Sequence, residues 1–136
     1  MGTRTFAAPL SAVDGVTHGD GTVTAVKDIV ATDPYLAGHY PHFTIYPGVF
    51  SIETVYQAAR AVLERDGARV ELVGVHSVHF KAPLLPGDRL TADLTFHPST
   101  ADGSADTVRV KARCRRADGE SSGRVTLDLR VRSRDA

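Results

Sequence analysis

The chain reads as an α+β domain in which about six antiparallel strands wrap around one long, buried central helix. Three observations lead there. A single helical stretch at residues 49–67 is apolar around most of its circumference. Two short strand-like runs precede it, at 11–16 and 22–30. Four longer ones follow, at 70–80, 89–96, 107–115 and 123–131. The order is therefore β-β-α-β-β-β-β, and a helix apolar on nearly all sides must be covered rather than laid on a surface.

Each element has its own local signal. The first two runs flank His18-Gly19-Asp20-Gly21, a glycine-punctuated stretch that predicts a hairpin. Asp33-Pro34 fits the start of a short helical turn. The following GHYPHFTIYPG holds Pro41, Pro47 and Gly48 and cannot be a regular element. Pro47 suits the first turn of a helix, where its missing N–H costs nothing, and Asp66-Gly67 suits the end. Val49, Phe50, Ile52, Val55, Tyr56, Ala58, Ala59, Ala61, Val62 and Leu63 make the helix apolar, with Ser51, Glu53, Thr54 and Gln57 as its polar exceptions. The later runs carry β-branched residues or alternation. Residues 82–88 hold two prolines and form a turn, while 98–105 and 117–122 are polar hairpin loops.

Composition sets outer bounds. The 136 residues are enough for one domain, read here as 1–136, with no linker or repeat to divide it. Hydrophobic residues make up 42% and charged residues 24%, which supports one core. Sixteen basic residues balance sixteen acidic ones, so a strongly basic nucleic-acid binder is excluded as a whole-protein description. Cys114 stands alone, so neither an intrachain disulfide nor a cysteine-rich zinc module is available. No run has the length of a transmembrane helix, and the opening MGTRTFAAPL has no signal-peptide core. A cytoplasmic protein, away from membrane and nucleic acid, is expected.

The chemistry concentrates in residues 38–57, GHYPHFTIYPGVFSIETVYQ. His39 sits in a proline-constrained loop and is the natural base near neutral pH. Glu53 lies on the apolar helix, where burial favours a protonated carboxyl suited to a general acid. Gly48, at the helix start, offers a backbone N–H able to polarise a carbonyl oxygen. Each residue also has a plainer reading: His39 as a structural loop histidine, Glu53 as a carboxylate facing a wet groove or an arginine, Gly48 as a small turn residue. Gln57 shares a helix face with Glu53 and fits a cap on a neighbouring backbone group.

This stretch resembles the motif of the hot-dog-fold 3-hydroxyacyl-(acyl-carrier-protein) dehydratases, the FabZ group, G-H-F-P-G-x-P-x-x-P-G-V-L-x-x-E-x-x-x-Q. The histidine-to-glutamate spacing is the same. VTAVKDIVATDPYLAGHYP and VHSVHFKAPLLPGDRL are similar to further family segments in the same order, so the likeness runs clearly from Thr22 to Phe96. It implies a hot-dog fold. It also implies that His39 removes the C2 proton of a 3-hydroxyacyl thioester, that Glu53 protonates the departing hydroxyl and that the Gly48 N–H binds the thioester carbonyl. Tyr46, Phe43, Phe50 and Phe80 would line the acyl site, or else belong to the core. The resemblance further implies a dimer with sites between subunits, no metal or redox cofactor, and a substrate carried on the phosphopantetheine arm of an acyl carrier protein.

His42 and Thr44 depart from the motif beside the expected base, and the family's usual N-terminal segment is not recognisable. These departures suggest a divergent member serving fatty acid or polyketide-type synthesis. They leave open a non-catalytic or co-catalytic subunit of a heterodimer, as well as a hot-dog thioesterase. Elsewhere, His76 and His79 are three apart on a strand, which puts them on opposite faces and disfavours a shared metal. Cys114 reads as an ordinary strand residue. Arg113, Arg115 and Arg116 read as a solvated face or a docking patch for an acidic carrier protein.

Overall fold

A computed structural model describes residues 12–19, 21–29, 48–65, 67–99 and 106–132. The elements are β1 (Gly15–His18), β2 (Val23–Asp28), helix α1 (Gly48–Leu63), β3 (Arg69–Phe80), β4 (Arg89–Ser99), β5 (Thr107–Arg115) and β6 (Ser121–Arg132). All strands join one antiparallel sheet in the order β1-β2-β4-β5-β6-β3. The expected element order holds. β1 starts later than its sequence suggests and takes in His18, which pairs with Val23 and leaves a tighter turn. The short turn expected at Asp33-Pro34 lies outside the described residues.

Alternation along β4, β5 and β6 builds the core. Leu90, Ala92 and Leu94, then Val110, Ala112 and Cys114, then Val125, Leu127 and Leu129 all point to the helix side and are buried. Lys27 also points to that side, opposite Leu90. It is buried and compensated by Asp14, whose carboxylate lies 3.5 Å away and also accepts the Asp28 N–H.

Helix α1 meets the sheet through Ser51, Thr54, Val55, Ala58 and Ala59, a stripe at helical spacing that is fully covered. Small side chains along this stripe let the helix approach the sheet closely. One sheet reaches only one side of a helix. Ile52, Tyr56, Val62 and Leu63 are accordingly half-buried against the core margin, and Arg60 and Ala61 are exposed. The chain leaves the helix through a turn in which the Gly67 N–H donates to the Glu64 carbonyl. Gly67 adopts φ 82°, a conformation that favours glycine.

The two-proline turn docks onto the end of β2. The Ile29 N–H donates to the Asp88 carbonyl and the Gly87 N–H to the Ile29 carbonyl, while Leu84 is buried. Arg89 pairs with Asp28 at 2.7 Å, and this guanidinium holds the Asp28 carboxyl below the usual carboxylate range. The chain is thereby fixed at the point where it departs toward the proline-rich stretch.

Candidate active site

Glu53 stands at the flank of the buried helix stripe and is half-buried. Its Oε1 accepts a hydrogen bond from Gln57 Nε2 at 3.1 Å, one helical turn later. The other end of the Gln57 amide is also committed: Oε1 accepts the Ala12 backbone N–H at 2.9 Å. A main-chain donor requires the oxygen and a carboxylate requires the NH₂, so the two partners dictate the amide's orientation. Beside it, the Thr54 hydroxyl is shared between the carbonyls of Ala12 at 2.7 Å and Phe50 at 2.9 Å. The segment before β1 is thus clamped to the helix at the level of the carboxylate, with Ala12 fully buried.

Gly48 is the first helical residue, as the Pro47-Gly48 pair predicts. Its N–H belongs to the first turn, where the helix supplies no acceptor, and the helix dipole adds positive character there. Glu53 lies five positions after Gly48, about 7.5 Å along the axis. Phe50 packs against the core cluster. Phe80 lies at the end of β3 and is 53% exposed. His39 and Tyr46, with Phe43, His42 and Thr44, lie outside the described residues.

Gln57 does cap a backbone group, as expected, and it also orients the carboxylate. The contribution of Ala12 has no signal in the sequence, since a backbone N–H has no residue identity to read. Cys114 is buried on the core side, and burial pushes its thiol up to about 12, so it stays a thiol at neutral pH. Among the described residues, no group of three or more His, Cys, Asp or Glu is placed to hold a metal ion.

The histidines of β3 correct one expectation. His76 and His79 share the outer face of the sheet and line one groove. A register shift between Val75 and Ser77 inserts a residue into β3 and resets the alternation. Arg115 pairs with Asp93 and Arg116 with Asp118, which leaves Arg113 without a carboxylate among the described residues.

A six-stranded antiparallel sheet packed on one central helix defines a hot-dog-fold chain. Comparison with known proteins carries the assignment further. The ApeI-like family model, for the ApeI dehydratase, matches residues 16–124. The 3-hydroxyacyl-(acyl-carrier-protein) dehydratase FabZ of Streptococcus uberis is 31% identical over 130 residues, 92% of this chain and 89% of that protein. FabZ of Polynucleobacter asymbioticus is 32% identical over 120 residues, 85% and 76% of the two chains.

Solved structures agree on the fold. The dehydratase heterocomplex ApeI:P from Xenorhabdus doucetiae superposes with a TM-score of 0.64 at 17% identity, covering 87% of this chain and 96% of that one. AziG of S. sahachiroi gives 0.66 at 22% identity, with 88% and 91% covered. The chain belongs to the ApeI-like dehydratase family and is a divergent FabZ-like member of it.

Proposed function

We propose that this chain dehydrates a 3-hydroxyacyl thioester carried on an acyl carrier protein, giving the trans-2-enoyl thioester and water. The observation that carries this reading is the Glu53 carboxyl, held by Gln57 one and a half turns into a helix that begins at Gly48. His39 takes the C2 proton, and electrons move into the new C2–C3 double bond. Glu53 delivers a proton to the 3-hydroxyl as the C3–O bond breaks. The Gly48 N–H receives the negative charge that gathers on the thioester oxygen. Acid, base and oxyanion donor together complete the proton transfers, so the reaction asks for no metal or redox cofactor. Tyr46, Phe50 and Phe80 contact the acyl chain. The pathway is fatty acid or polyketide-type chain synthesis in the cytoplasm.

The working unit is a dimer of hot-dog subunits. β3 is a twelve-residue edge strand whose Leu72, Val73, Val75 and Phe80 are all exposed, a combination that favours pairing with a second chain. The partner is a second copy or a related subunit. Support for the second case comes from the heterocomplex among the similar folds.

The test uses the reverse reaction. Purified protein is mixed with a short trans-2-enoyl thioester on a carrier protein, and loss of the conjugated absorbance is followed. His39→Ala and Glu53→Gln are each expected to lower the rate by about 10²–10⁴-fold with the fold intact. Near-normal rates in both variants would refute the assignment. Activity that appears only on mixing with a related subunit would select the heterodimer, and release of free thiol would identify a thioesterase instead.

A further inference from the structure

The outer face of the sheet, turned away from α1, carries its polar side chains in rows set by the strand register. His79 on β3 opposes Arg124 on β6, which opposes Arg113 on β5, which opposes Asp93 on β4. The next row is Ser77, Thr126, Lys111 and Thr95. Directly opposed residues of antiparallel strands hold their Cβ atoms about 4.5–5.5 Å apart, and like charges in that relation are unfavourable.

Some cations of this face are neutralised by carboxylates of the same chain. Arg109 grips Asp128 through two contacts, at 2.9 and 3.2 Å, and Asp128 holds the guanidinium above its ordinary value. Arg115 holds Asp93 at 2.9 Å. Asp93 also accepts the Thr24 hydroxyl at 2.9 Å, so the carboxylate beside Arg113 is already engaged. Among the described residues, Arg113, Arg124 and Lys111 have no carboxylate partner.

These three line a groove of about 840 Å³ together with hydroxyls of Ser77, Thr95 and Thr126. The register shift in β3 brings His76 into it. His76 Nδ1 lies 3.2 Å from Arg109 Nη2. A guanidinium only donates, so Nδ1 accepts and the ring proton sits on Nε2 as a further donor. The uncommitted groups of the groove can all donate, and two of them are guanidinium forks side by side, the arrangement that suits phosphate oxygens.

We propose that this groove binds a phosphate-bearing small molecule, with its phosphate held between Arg113 and Arg124. Uncommitted charge lies at these neighbouring positions and at Lys81, which lines an adjoining groove with Arg113 and Arg124, and it is flanked by the closed ion pairs of Arg109 and Arg115. That footprint fits a small anion rather than a broad acidic protein surface. An anion lying between the two arginines also offsets the repulsion their register imposes.

Titration calorimetry of the whole chain with inorganic phosphate, at constant ionic strength in chloride, tests this. Saturable binding is expected, weakened at least tenfold in the Arg113→Ala/Arg124→Ala variant and unchanged in Arg60→Gln, which removes a cation from the helix. Phosphate should raise the melting temperature of the wild type and not of the double variant. That variant loses a like-charge contact and is expected to melt no lower than wild type without phosphate. Phenyl phosphate and dimethyl phosphate then separate the sources. Tighter binding of the dianionic monoester marks a phosphate monoester, and equal or tighter binding of the diester marks a phosphodiester. Absence of saturable phosphate binding, or equal weakening by Arg60→Gln, would overturn the proposal. So would binding confined to an acidic protein.

Discussion

Replacing Gln57 by leucine removes the link between the N-terminal segment and the helix carboxylate while keeping most of the side-chain volume. The Ala12 N–H, fully buried, then loses its acceptor at 2.9 Å. An orphaned buried donor costs about 1–3 kcal/mol. The bond to Glu53 is lost as well. Because Glu53 is half-exposed, water replaces part of it, and about 1 kcal/mol is a fair share. The variant should therefore be destabilised by about 2–4 kcal/mol in urea unfolding. The orienting contact acts on the carboxyl rather than on substrate affinity. Enoyl hydration should then lose about tenfold in kcat, which is about 1.4 kcal/mol of barrier, with KM little changed. A stability loss under about 0.5 kcal/mol would refute the clamp. A rate loss expressed wholly in KM would refute the positioning role.

Two further outcomes follow from packing and titration. A Cβ on Gly123 would collide with the His79 carbonyl oxygen and lie 3.2 Å from Phe80 Cα, so β3 would have to move off β6. Gly123→Ala should cost about 3 kcal/mol, the upper end for overpacking, and the same substitution at Gly74, where space is open, should cost under about 1 kcal/mol; similar losses at both positions would contradict the close strand approach. Cys114 should resist a thiol reagent at pH 8 in the native state and react at once in denaturant. Burial raises its folded value above the ordinary one near 9, so its stabilising contribution is complete below about pH 9 and is lost as pH climbs toward 12. Cys114→Ala should flatten that alkaline limb of the stability curve, and an unchanged limb would contradict the assignment.

The helix and the strand runs were legible because their signals are local. Alternation at Val110, Ala112 and Cys114 suits a strand with one buried side, whereas the covered helix stripe takes in polar Ser51 and Thr54 and leaves out Ala61, which a helix apolar nearly all round does not announce. The Pro47-Gly48 start needs no neighbours to be recognised. Glu53 was legible as a candidate from its polarity on an apolar helix, and Gln57 as a cap from its place one turn later. The identity of the capped group was not legible. Nor was the shared face of His76 and His79, since strict alternation fails wherever a strand carries an extra residue, and nothing in HSVHF marks the insertion.

By itself the sequence determined the element order, the helix start and the motif that ties His39 to Glu53. All of these rest on short-range spacing and residue chemistry. Tertiary structure decided that β3 pairs with β6 rather than with its neighbour β4, and so stands at an edge with its apolar side chains exposed. It decided which arginines meet a carboxylate and which two face each other. It also brought Ala12 to Gln57 across 45 positions of chain. Such pairings depend on how distant segments come together when the sheet closes on the helix, and that free energy belongs to the whole fold rather than to any local run of residues.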